Sequence, residues 1–151
     1  MRFGWINWVN IATVVYLVLV NILAARKGLA DSFNSKYLTI NIFEQTGRYG
    51  CIALMIFPIF TRGWEFGFES VTEMLIWVCL TILLLAIYSL LWVKKVNGGA
   101  SILYGLAIVP SVLFLLNGIL LRHPVLVVAS LIFGVFHFMI VKENVRSNTK
   151  S

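Results

Sequence analysis

Residues 37–60 read YLTINIFEQTGRYGCIALMIFPIF, and the fold turns on how this stretch is taken. Its clean apolar part, Cys51 to Phe60, has ten residues. At about 1.5 Å per residue it covers roughly 15 Å. The hydrocarbon core of a bilayer is about 30 Å thick. Either this segment does not cross, or its helix runs back through Tyr37–Gly50 and carries Glu44 and Arg48 below the headgroups. The charges of the rest of the chain decide for the second option.

Around this stretch lie four strongly apolar segments, at about Trp5–Ala25, Glu73–Val93, Ala100–Leu121 and Val125–Val141. Counting 37–60 as a span makes five. Loops then alternate between two faces. One face carries Arg26, Lys27, Lys36, Lys94, Lys95, Lys142, Arg146 and Lys150. The other carries Arg2, Arg62 and Arg122, with Glu65 and Glu69 nearby. Dropping the second span scatters these charges almost evenly. By the positive-inside bias, five spans put the N-terminus outside and the C-terminus in the cytoplasm.

The composition agrees. The chain has 151 residues, of which 60% are hydrophobic and 12% charged. That charged share is about half the usual one for soluble domains. Such a chain is neither a soluble globular domain nor a disordered one. The expectation is an all-α integral membrane bundle of five transmembrane helices forming one domain over residues 1–151, multi-pass in a cell (inner) membrane of the bacterial kind. The net charge of +6 reads as orientation rather than as a nucleic-acid surface. Cys51 and Cys79, both inside apolar segments, form no metal or disulfide framework. The first apolar run is too long for a signal-peptide core, and the residues two before Ala24 and Ala25 are Ile22 and Leu23, which are not small, so it is read as a retained helix.

Within 37–60, Asn41, Glu44, Gln45 and Arg48 stand at i, i+3, i+4 and i+7, which puts them on one helical face. Phe43 and Tyr49 point elsewhere. Glu44 precedes Arg48 by four, the favourable order for an intrahelical pair. Gly47 and Gly50 leave room for a neighbouring helix. Measured from an outer boundary near Thr61, Arg48 lies about 20 Å inward and Glu44 about 25 Å. Ionisable groups at such depth need partners or water. His137, Tyr88, Asn21 and Tyr104, with Ser89 and Ser101, fall in the same slab. The expected ligand-binding set is therefore Asn41, Glu44, Gln45, Arg48, His137, Tyr88, Asn21 and Tyr104, around a polar cavity open to the cytoplasm. The same ion pair would serve equally as a stitch between helices, and His137 as a packing residue.

Other features have simpler readings. Trp5, Trp8, Trp64, Phe66, Phe68 and Trp92 suit interfacial belts. Thr61–Ser70 reads as a loop or short helix on the outer surface. Gly98-Gly99 and Arg122-His123-Pro124 mark turns, Pro58 and Pro110 mark breaks or kinks, and the tail from Lys142 frays. Glu65, Glu69 and Glu73, spaced by four, read as solvated carboxylates. Arg122-His123-Pro124 resembles the RHP element of integral-membrane isoprenylcysteine and phospholipid methyltransferases. The tyrosine of that element is Leu126 here, and of its later paired glutamates only Glu143 is present, so no activity is transferred. The five-span translocator-protein family has a similar length, but its proline-rich tryptophan motifs are missing from a chain with 3 prolines.

No hydrolase, zinc-protease, P-loop or dinucleotide motif is present. Three functional readings follow. The leading one is a membrane protein that binds or moves a small molecule or lipid, with Arg48 holding an anionic group. The others are a non-catalytic accessory or assembly subunit, and an intramembrane lipid-modifying enzyme using His137 or Glu44. No cofactor or metal is called for. The expected partners are membrane lipids, a small anionic ligand, and a second copy or a membrane partner protein, with no nucleic acid.

Overall fold

A computed structural model describes residues 4–28, 35–59, 61, 67–95 and 99–148. Arg2, Arg62, Trp64, Glu65, Phe66, Gly98 and Lys150, used above for charge, belt and turn, lie outside the described residues. The described chain is all-helical, with five helices. They are α1 (Trp8–Arg26), α2 (Leu38–Ile56), α3 (Val71–Lys95), α4 (Ala100–Leu120) and α5 (Pro124–Asn148).

The helix ends follow local chemistry. Asn7 caps α1 by accepting the Asn10 N–H. α2 stops at Ile56 because Phe57 precedes Pro58 and is forced into extended backbone. It is therefore shorter at this end than the expected 37–60. α3 starts at Val71, two residues before the expected Glu73, because Ser70 Oγ accepts the Glu73 N–H and Glu73 accepts the Glu69 N–H. α4 closes with the Arg122 N–H on Ile119 and the His123 N–H on Gly118. This is a Schellman closure with arginine, at φ 53°, where glycine is usual. The arginine there spans Glu69 (3.1 Å) and Glu73 (2.7 Å), so two of the three carboxylates read as solvated are paired with it. α5 runs seven residues past the expected Val141. There Asn144 donates to the Ile140 carbonyl, and Glu143 accepts from Ser35 Oγ at 2.5 Å, so the expected frayed tail is helix as far as Asn148.

Four helices, α1, α3, α4 and α5, are long and apolar enough to cross a membrane. α2 is of similar length but interrupted by its polar face. It lies antiparallel to α5, and with its flanking residues it meets α5 from the His123 turn to Glu143. The Phe57 backbone faces His123, Gly47 abuts Phe133, Glu44 meets His137, Phe43 stacks on Phe136 at 5.0 Å, and Ser35 meets Glu143. A Cβ on Gly47 would sit 3.0 Å from the Phe133 Cα, so this glycine sets how closely the two helices approach. Gly50 has nothing within 4 Å and does not share that role.

The helices close a ring in the order α1, α2, α5, α4, α3. The main core joins Cys51 and Met55 of α2, Leu106, Leu113 and Phe114 of α4, and Leu126 and Phe133 of α5. Phe68 and Trp92 do not lie in belts. Phe68 is buried with Trp77 and Leu121, and Trp92 is buried against the Tyr88 ring. Trp5 and Trp8 are exposed, as a belt requires. Cys51 is buried and Cys79 exposed, both as free thiols.

Candidate functional site

The ring encloses a cavity of about 450 Å³ to which all five helices contribute. Its polar wall begins with Glu44, whose side chain is 3% exposed. One carboxylate oxygen of Glu44 accepts from the Arg48 guanidinium, one turn on, and lies 2.8 Å from His137 Nδ1 of α5. The carboxylate thus bridges two basic groups from two helices. Arg48 also lies over the Phe133 ring, with Cζ 5.9 Å from its centroid, and His137 stacks on the same ring at 4.9 Å. Phe133 is the floor on which the triad rests.

Helix geometry explains the arrangement. Side chains on a helix lean toward its N-terminus, so Arg48 reaches back to Glu44. On α5, Phe133 and His137 are four apart and share a face. Counted along α2 at about 1.5 Å per residue, Arg48 lies roughly 12 Å from the Ile56 end and 15 Å from the Leu38 end. Arg48 therefore stands near the middle of α2. A lone charge there would cost at least about 2.5 kcal/mol on insertion scales. The Glu44 contact and the Phe133 face offset that cost. Even so, 38% of the Arg48 side chain stays accessible. One guanidinium nitrogen is engaged with Glu44, and a guanidinium has five N–H donors in a fork that suits carboxylate or phosphate.

Of the eight residues expected here, six line the cavity: Asn21, Glu44, Gln45, Arg48, Tyr88 and His137. Tyr88 donates to Asn21 Oδ1 at 2.6 Å, joining α3 to α1. The other two are elsewhere. Asn41 folds back onto Ser35, accepting its N–H and donating to its carbonyl at 2.9 Å each, and so orders the approach to α2. Tyr104 packs on Phe138 at 5.4 Å, away from the lining. Tyr49, expected to point elsewhere, does line the cavity. Among the described residues no group of three or more His, Cys, Asp or Glu could hold a metal ion.

Sequence reasoning missed the apolar wall. Val14, Leu17, Val18, Ile22 and Ala25 line it from α1, Ile52 from α2, Trp92 from α3, Leu106, Pro110 and Phe114 from α4, and Phe133 from α5. The signal was helical spacing from the polar members. Trp92 follows Tyr88 by four, Phe133 precedes His137 by four, and Ile52 follows Arg48 by four. Pro110 has no N–H for the Leu106 carbonyl, and both residues face the cavity.

No family model, no curated protein and no solved structure matches this chain.

Proposed function

We propose that the chain is a multi-pass membrane protein that binds, and by binding moves, a small molecule or lipid bearing an anionic group, with Arg48 as the anion-holding residue. The observation that carries this reading is an accessible guanidinium on the wall of a 450 Å³ chamber, held by a buried carboxylate that His137 also contacts. A pair that served only to stitch helices would have no need of an adjoining cavity. Chambers of about 300–1,000 Å³ with a few convergent polar groups are the usual form of small-molecule sites. Glu44 orients the guanidinium and His137 orients Glu44. The ends of the bundle support an orientation with Arg26, Lys36, Lys94, Lys95, Lys142 and Arg146 toward the cytoplasm.

The test is equilibrium binding to the purified protein, with inorganic phosphate and alkyl phosphates of graded chain length as probes, followed by uptake into proteoliposomes. Arg48→Ala should weaken whichever probe binds by tenfold or more, since a charge-assisted hydrogen bond contributes about 1.5–3 kcal/mol. Glu44→Gln should weaken it less, because the guanidinium is displaced rather than removed. Unchanged binding in a folded Arg48→Ala protein would remove Arg48 from this role.

A further inference from the structure

Of the five helices, α1 is held least. Among the described residues its hydrogen bonds with α2 are confined to its N-terminal end, where the Asn7 N–H meets the Ile56 carbonyl and Asn10 Nδ2 meets the Met55 carbonyl. Further along, α1 is tied to α3 instead, through Tyr16 and Ser89 at 2.7 Å and through Tyr88 and Asn21. Burial follows the same division. Asn10, Thr13, Val14 and Leu17 are buried, but from Val18 to Arg26 only Ala24 is. Beyond the pinned end α1 and α2 share no hydrogen bond among the described residues, and residues of both helices line the cavity there. Its rim there is Val18, Asn21 and Ile22 on α1 with Gln45 and Tyr49 on α2, all exposed. Because α1 and α2 are neighbours in the ring, this opening faces sideways, into the bilayer.

We infer that the occupant is a single-chain anionic amphiphile that enters from the membrane between α1 and α2, with its head on Arg48 and its chain along the apolar wall. The inference rests on the binding role proposed for Arg48 and adds the ligand class and the route. A fully water-soluble anion would gain nothing from Val14, Ile52, Phe114 and Trp92, which make most of the wall apolar. From Val14 to Ala25 the slot is about 16 Å long, since α1 rises roughly 1.5 Å per residue. A volume of 450 Å³ is in the lower half of the range for ligand sites, about 300–1,000 Å³, which suits one chain and a compact head rather than a two-chain lipid. Arg48 supplies the charge complement for a carboxylate or a phosphate alike.

Trp92, on the cavity wall, provides the readout. The full chain is reconstituted in phosphatidylcholine vesicles. A brominated single-chain alkyl phosphate, the matching brominated fatty acid and a brominated two-chain phosphatidylcholine are each titrated against Trp92 fluorescence, isolated as the difference from Trp92→Phe. Binding of inorganic phosphate is measured separately. Both single-chain probes should quench saturably, and the two-chain lipid should not. Arg48→Gln should weaken the single-chain probes at least tenfold. Ile22→Phe with Gln45→Phe, which fills the rim and leaves Arg48 in place, should slow or abolish quenching. Equal affinity for inorganic phosphate and the single-chain phosphate, or quenching unaffected by the filled rim, would overturn the route and the ligand class while leaving Arg48 as an anion site. Absence of binding by every probe would overturn the binding role itself.

Discussion

His123 has no accessible surface, although it sits in the turn between α4 and α5. Its Nδ1 accepts the Leu126 N–H at 3.2 Å, and Nε2 faces the backbone of Phe57 without a well-formed hydrogen bond. Burial pushes this imidazole below the ordinary histidine value, and the Phe57 backbone offsets only part of the shift. The unfolded chain then takes up the proton first as pH falls. Stability from this residue is complete above the unfolded value of about 6.5 and is lost progressively below it, until the folded value is reached. Thermal unfolding in detergent between pH 8 and pH 5 should show that loss, and His123→Gln should flatten the profile relative to the wild type. A wild-type profile that matches His123→Gln would refute the assignment. The Glu44 and Arg48 pair was legible in the sequence from its i, i+4 spacing, and His137 only from its similar depth along its own span, since spacing cannot link two helices. Asn41 was misplaced because a short amide at a helix start can instead bond the backbone of the preceding turn, which spacing does not reveal.

At the scale of the element, α2 depends on α5 through one glycine. Gly47→Ala would bring a methyl group onto Phe133 backbone, where no side-chain rotation can relieve it. The expected cost is about 1–3 kcal/mol, as for other overpacked positions. Gly50→Ala meets nothing and should be neutral or stabilising by up to about 1 kcal/mol, through helix propensity. Comparing the two variants by thermal unfolding separates packing from propensity, and equal effects would contradict the pairing of α2 with α5. The sequence pointed to a helix running back through Tyr37–Gly50 because dropping that span scatters the basic loops over both faces. It did not show which of the two glycines faces a neighbour, because rotational phase depends on which helix lies alongside. The length of α5 was underread for a related reason. Lys142 and Glu143 look like a solvated tail until Ser35 supplies a partner for Glu143.

At the scale of the whole molecule, the basic ends of α1, α3 and α5 lie toward one face, and the Arg122, Glu69 and Glu73 cluster lies toward the other. Reporter fusions at the C-terminus should accordingly be active only as cytoplasmic reporters, and fusions in the turn at residues 121–123 only as external ones. The reverse pattern would invert the proposed orientation. The alternation of charge across loops is the basis of that proposal. The ring closure was not legible, because nothing in a single sequence specifies that α2 neighbours α5 rather than α3. That neighbour relation bears on biogenesis. α2 carries a glutamate and an arginine, and the helix that shields them, with His137 and Phe133, emerges from the ribosome only after α3 and α4. If α2 enters the bilayer with the four apolar helices, the insertion machinery hosts a charged helix whose proper companion has yet to be translated.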